Sequence, residues 1–300
     1  MVKIDQLGTE KRNERTMHLD ELSIHELLTI MNEEDLKVVS AVKEALNDIE
    51  KAVNAVIDTL NHGGRLIYVG AGTSGRLGVL DAVECVPTFS TTDEVIAIMA
   101  GGNEAFVKAK EGAEDSKELA HEDLKVNHLS AKDIVVAIAA SGRTPYCIGA
   151  LEYANDIGAK TVSISCNKNA LLSKVSDIAI EVDAGAEILT GSTRLKSGTC
   201  QKMILNMIST ASMVGIGKVY GNLMVDMKAT NEKLVERARR IVMQATMCDY
   251  EKATETLNCC DYHIKEAILM ILLKIDQQEA QKRLNETKGF VGKAIKEEKK

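Results

Sequence analysis

The spacing of hydrophobic positions changes twice along the chain. From Glu33 to Leu60 the apolar residues Leu36, Val39, Val42, Leu46, Ile49, Val53, Val56, Ile57 and Leu60 fall three or four apart. That period predicts one long amphipathic helix, with Glu33, Glu34 and Asp35 at its positive end and Gly63-Gly64 as its stop. Such a helix can lie on its own domain or pair with a second subunit. Short continuous apolar runs then take over: Leu66 to Val69, Val95 to Met99, Ile134 to Ala139, Thr161 to Ser165, and a fifth candidate at Ile178 to Val182. Buried strands separated by helical stretches predict an α/β fold, a parallel sheet covered by helices on both faces. After about Asn231 the helical period returns, in Leu234 to Met247 and Ile264 to Ile275. The expected organisation is an α/β domain with N-terminal helices over residues 1–232 and a small all-helical domain over 233–300. The charged block from Glu10 to Arg15 reads as part of a solvated arm.

Composition narrows the partners. Of 300 residues, 45% are hydrophobic and 27% charged, which suits a soluble globular protein and is too apolar for a disordered one. Only 2 prolines occur, against a loop-rich all-β fold. With no Trp and 3% aromatics the chain lacks stacking platforms for single-stranded nucleic acid, and a net charge of -7 disfavours a phosphate-backbone partner. The longest apolar runs, Ile134 to Ala140 and Ala267 to Leu273, fall far short of the ~20 residues of a membrane span. Met1 to Leu7 carries Lys3 and Asp5 with no apolar core after it, so no signal peptide is read and a cytoplasmic location is expected. The 7 cysteines are an odd number without framework spacing, in keeping with that compartment. Cys259, Cys260 and His263 are neighbours, but zinc wants four ligands in paired spacings and no second pair exists; helix packing is the better reading.

Two segments repeat one chemical idea. A strand runs into Gly70-Ala71-Gly72-Thr73-Ser74-Gly75-Arg76 and then a helix; another runs into Ala140-Ser141-Gly142-Arg143-Thr144-Pro145 and then a helix. Unpaired N–H groups and the helix dipole favour an anion at such a junction, and glycine lets the backbone approach it. Hydroxyls cap the helix or donate to phosphate oxygens, and Pro145 suits a first helical turn. A third cluster, Thr190 to Lys196, also precedes a long apolar helix. One such loop alone is ordinary capping; three in one domain point to an anion site, best a phosphate ester. The first loop also satisfies G-x-G-x-x-G, with Asp93 or Glu94 near the offset a dinucleotide site requires. Thr73 and Ser74 between the glycines, and the repeated hydroxyl loops, favour a monophosphate. No G-x-x-x-x-G-K-[ST] is present.

The motifs are also specific as a set. Gly70 to Gly78 with Asp81-Ala82-Val83-Glu84-Cys85 and Pro87-Thr88, Glu111 to Asp115, Ala139 to Tyr146, Thr190 to Thr199, Gly221 to Asp226 and Thr230 to Leu234 resemble the N-acetylmuramic acid 6-phosphate etherases. The block Glu10 to Asn13 fits the same pattern, and Val86, where proline is expected in relatives, is a minor departure. The resemblance covers nearly the whole chain. It implies a sugar-isomerase (SIS-type) α/β domain, a helical C-terminal domain and a homodimer. It implies cleavage of the D-lactyl ether of N-acetylmuramic acid 6-phosphate to N-acetylglucosamine 6-phosphate and D-lactate, in cell-wall sugar recycling. By the same resemblance Glu84 is the proton donor and Glu114 the base. Gly72, Thr73, Ser74, Gly75, Ser141, Gly142, Arg143, Thr144, Ser192 and Thr193 are the expected substrate-binding residues.

The chemistry explains two carboxylates. Lactate leaves C3 once the C2 proton is removed, which a C1 aldehyde in the opened sugar makes feasible; water then adds back at C3. One carboxylate takes the proton and an acid protonates the departing oxygen, each contributing roughly 10²–10⁴-fold. Neither step calls for a metal or an organic cofactor. Without the resemblance Glu84 reads as a solvated helix residue, and nothing selects Glu114 over Glu111 in an acidic run. Arg143, Arg194 and Lys196 either touch substrate or stabilise loop carbonyls and helix ends. Glu84 stands ten residues beyond Ser74, ~15 Å along a continuous helix, and Glu114 as far beyond Gly102 if a helix joins them. Either these helices break early or a carboxylate reaches the loops of a second subunit. The rival readings are a sugar-phosphate sensor and an aldose–ketose isomerase; lactate release separates them from the etherase.

Overall fold

The computed structural model describes residues 7–108 and 110–296. It divides into two compact units, Met1–Ala82 with Asp93–Ser209, and Val83–Thr92 with Thr210–Lys300.

The first unit begins with three short 3-10 turns, Gly8–Glu10, Glu14–Thr16 and Leu19–Glu21, then α1 (Ile24–Glu44) and α2 (Leu46–Asn61). Two expectations change here. The amphipathic period hid a break at Ala45, whose φ of -92° and ψ of 1° are outside helical geometry. The true start is a capping box, Ser23 accepting from Glu26 N while the Glu26 carboxylate accepts from Ser23 N. Glu34 therefore lies mid-helix and fully buried, not at a positive end. Nor is the polar arm wholly solvated: Lys11, Arg12, Glu14 and Arg15 are exposed, but Thr9, Asn13 and Thr16 are buried. Asn13 Nδ2 donates to Glu34 Oε2 at 3.0 Å and to the Ala186 carbonyl at 3.3 Å, and Thr16 Oγ1 donates to the Ile188 carbonyl at 2.8 Å. These buried side chains replace water with fixed partners on α1 and on segments more than 150 residues away in sequence.

The expected strands form, in order β1 (Leu66–Gly70), β2 (Val95–Met99), β3 (Ile134–Ile138), β4 (Lys160–Ser165) and β5 (Ile178–Glu181). They make one parallel sheet, ordered β2-β1-β3-β4-β5. Every residue of β1 and β3 is buried, as a sheet covered on both faces requires. The intervening helices are α3 (Gly72–Phe89), α4 (Glu104–Val107), α5 (Lys117–Val126) and α6 (Pro145–Ile157), with α7 (Lys196–Gly215) after β5. Ile67, Val69, Val135 and Ala137 of the sheet share a core with Leu124 of α5 and Tyr146, Ala150 and Leu151 of α6.

The second unit contains α8 (Glu232–Thr246), α9 (Tyr250–Cys259), α10 (Ile264–Leu273), α11 (Gln277–Glu286) and α12 (Val291–Lys296). Asn231, Asp249 and Asp276 cap α8, α9 and α11 through their side chains. The apolar helix α10 lies at the centre, its Ile264, Ala267, Ile268 and Leu269 buried against Val242, Leu257, Ala280 and Val291.

Candidate active site

β1 is followed in sequence by β2 on one side of it and flanked by β3 on the other. Connections leaving the carboxyl ends of β1 and β3 therefore diverge, and a crevice opens where ligands bind in sheets of this type. The first two hydroxyl loops stand at that place. Close backbone contact shapes the first: a Cβ on Gly70 would lie 2.8 Å from Gly75 N, and one on Gly75 would lie 2.7 Å from Gly70 O. In the second, Gly142 has φ +68°, and a Cβ there would meet Ala170 Cβ at 2.4 Å. Thr144 is the N-cap of α6 but makes no side-chain cap bond, leaving its hydroxyl uncommitted to the helix, and Pro145 opens the first turn. Ser141 Oγ accepts from Arg143 N at 3.4 Å.

The first turns of α7, just after the third cluster, are tied to both. Ser74 Oγ donates to Gln201 Oε1 at 2.9 Å, and a Cβ on Gly198 would rest 3.6 Å from the Thr73 methyl. Cys166 N donates to the Ala140 carbonyl at 2.9 Å, while its thiol points at the Ser197 carbonyl at 3.6 Å. The start of α7 does not await an external anion, however. Buried Glu187 already accepts from Lys196 N, Ser197 N and Ser197 Oγ, each at 2.9 Å. Ser192 and Thr193 occupy the turn just before it, half-buried. Lys196 is also accounted for. Its ammonium donates to Glu34 Oε2 at 2.8 Å and to the Ala184 carbonyl at 3.0 Å, wholly buried. Arg194 is exposed and lines a separate 160 Å³ hollow with Met31 and Asp35.

The two acids are placed differently. No continuous helix joins Gly102 to Glu114: α4 ends at Val107, the chain turns at Gly112, and Glu114 sits in the 3-10 turn Ala113–Asp115. That turn packs on α6. Glu114 lines a 160 Å³ cavity together with Ala71, Gly72, Arg76, Met99 and Glu111. Burial pushes the Cys147 thiol of α6 up to about 12, and the nearby Glu114 charge adds to that. Glu84 is instead an exposed residue of α3, which runs unbroken to Phe89. On the same helix Leu80, Val83 and Val86 are also exposed.

Three residues here were given no role in the sequence reading, although Arg76 and Asp81 fall within its motifs. Arg76 donates to the Ala105 and Phe106 carbonyls, both at 2.8 Å, fixing one wall of the Glu114 cavity. Asp81 accepts from Tyr68 Oη at 2.9 Å, Asn206 Nδ2 at 2.8 Å and Ser209 Oγ at 3.1 Å. Burial raises its carboxyl above the usual range although those donors pull the other way. An Asp inside an otherwise apolar helical run was the available clue. Gln201 is the third. Cys260 is a buried thiol, raised by burial to about 11, and Cys259 is exposed; among the described residues no three His, Cys, Asp or Glu side chains gather as a metal would require.

Comparison with known proteins decides the family. An N-acetylmuramic acid 6-phosphate etherase of Bacillus cereus (strain ATCC 10987 / NRS 248) is 60% identical over 293 residues, 97% of this chain and 100% of that one. Those of Bacillus cereus (strain AH187) and Bacillus anthracis (strain CDC 684 / NRRL 3495) are 59% identical over the same extents. The chain belongs to the N-acetylmuramic acid 6-phosphate etherase family. Two domain models match within it, the glucokinase regulatory protein N-terminal SIS domain over residues 48–155 and the SIS domain over 113–211. In this etherase-family chain the SIS matches cover all five strands and all three hydroxyl clusters. No helix among the described residues is long and apolar enough to cross a membrane.

Proposed function

We propose that this chain cleaves the D-lactyl ether of N-acetylmuramic acid 6-phosphate, giving N-acetylglucosamine 6-phosphate and D-lactate, as a carbon–oxygen lyase. One observation carries the site reading: Glu114 and Gly72 line the same cavity, so a carboxylate faces the start of a phosphate-type loop. The ester phosphate rests on Gly72 to Gly75 and Ser141 to Thr144, with Ser192 and Thr193 beside them. With the ring opened, Glu114 removes the C2 proton. The C3–O bond breaks as Glu84 gives its proton to the ether oxygen, and lactate departs from an unsaturated aldehyde. Water then adds to C3, losing a proton to one carboxylate while C2 regains one from the other. Both carboxyl groups thereby return to their starting protonation states, with no redox change.

Homodimerisation belongs to this proposal. Ten residues separate Ser74 from Glu84 on the unbroken α3, ~15 Å along its axis, longer than a sugar phosphate. Leu80, Val83 and Val86 are 47%, 59% and 49% exposed around Glu84, an apolar setting that a solvated helix face does not need. A second copy covering that face brings Glu84 of one subunit to the loops of the other. The reaction takes place in the cytoplasm, on a sugar recovered from the cell wall. Incubation with N-acetylmuramic acid 6-phosphate followed by a D-lactate assay tests the activity: lactate is released by the wild type, and Glu84→Gln or Glu114→Gln lowers kcat about 10²-fold or more. Sugar interconversion without lactate, or binding without turnover, contradicts it.

A further inference from the structure

Gln201 lies one turn beyond Ser197 on α7, its side chain fully buried. Its Oε1 accepts from Ser74 Oγ at 2.9 Å, and its Nε2 has no partner among the described residues. A serine hydroxyl carries one hydrogen and two lone pairs. Here that hydrogen is directed at Gln201, so the Ser74 oxygen has only lone pairs left for any other partner. A phosphate monoester dianion also presents only acceptors, and the two repel. If Ser74 turned its hydrogen to the ester, Gln201 Oε1 would lose its donor. The amide has a simple remedy. A half-turn of its terminal torsion exchanges oxygen and nitrogen in place, and Nε2 breaks no bond in moving. Nε2 then donates to Ser74 Oγ while Ser74 donates to the phosphate, an ordered relay in which each bond strengthens the next.

We propose that Gln201 is a positioning residue for phosphate, its amide turning over to free the Ser74 hydrogen for the ester. This rests on the reading of Gly72 to Gly75 as the ester site. Only a side chain that both accepts and donates at one location can do it; a carboxylate of the same shape keeps the Ser74 hydrogen turned inward.

Binding of N-acetylglucosamine 6-phosphate by calorimetry, with KM and kcat for lactate release, tests this in wild type, Gln201→Glu, Ser74→Ala and the double variant. Gln201→Glu should raise Kd and KM by about 10-fold with kcat changed less than about 3-fold. In the Ser74→Ala background the same substitution should add less than about 3-fold, because its effect passes through the hydroxyl. Wild-type affinity in Gln201→Glu overturns the relay, as does a full penalty that persists without Ser74, which is charge repulsion alone. If the introduced carboxylate prevents folding, Gln201→Met replaces it: Kd should rise about 3-fold with Ser74 present and not without it, and an equal rise in both overturns the relay. Ser74→Ala binding as tightly as wild type, or a wild type that binds no sugar phosphate, overturns the loop reading beneath it.

Discussion

Lys196 and Glu34 meet at 2.8 Å with 2% and 0% of their side chains exposed, joining the start of α7 to the middle of α1. Both residues fall in sequence segments that invite another role, a basic residue beside an anion loop and an acid at a helix start. The pair serves neither. It anchors the third hydroxyl cluster to the helix that also receives the N-terminal arm, through Asn13. Lys196→Met should leave a buried carboxylate short of its main partner and destabilise the protein by roughly 3–5 kcal/mol. Urea unfolding followed by circular dichroism measures it; a loss below about 1 kcal/mol contradicts the structural role.

Acid should find the same pair. Burial works to raise the Glu34 carboxyl, but hydrogen bonds from Lys196, Lys37 and Asn13 outweigh it and hold the group down to about 2. A carboxyl depressed in the folded state stabilises above its unfolded value near 4.5 and loses that contribution as pH falls toward 2. The slope of stability against pH between those limits should flatten in Glu34→Gln, which starts less stable at pH 7. An unchanged slope would remove Glu34 from the acid response.

Gly142 should tolerate no side chain. Its positive φ and the 2.4 Å approach of a Cβ to Ala170 oppose even alanine. Gly142→Ala is expected to cost about 1–3 kcal/mol and to raise KM more than it lowers kcat, since it distorts a binding loop. A rise in KM without loss of thermal stability would place the effect on the ligand alone.

The division of labour between subunits has its own test. Mixing equal amounts of Glu84→Gln and Thr73→Ala/Ser74→Ala chains, each inactive alone, should restore up to about a quarter of wild-type activity, because half the dimers then contain one composite intact site. No recovery after subunit exchange contradicts a shared site.

Much of the fold was readable because the central strands of a doubly covered sheet are apolar. Leu66 to Gly70 and Ile134 to Ile138 have no polar alternative to burial. The break at Ala45 was hidden since the residues of α2 resume the same period on its far side. The buried part of the arm was misread for the opposite reason. Thr9, Asn13 and Thr16 are polar and buried, and their partners Asn167, Ala186 and Ile188 lie beyond any local pattern. The glycine and hydroxyl loops proposed for the site could be picked out as candidates because their chemistry is local, whereas the Glu187 cap of α7 and the Asp81 network require the fold to bring distant groups together.

The central claim is that the ether is broken by loss of the C2 proton followed by addition of water. Running the reaction in D2O and weighing the sugar product by mass spectrometry tests it most directly. N-acetylglucosamine 6-phosphate should carry one solvent deuterium bound to C2, and Glu114→Gln should slow its appearance together with lactate release. A product formed at full rate with no deuterium at C2 would contradict the account, since the bond would then have been cleaved without Glu114 acting on that carbon.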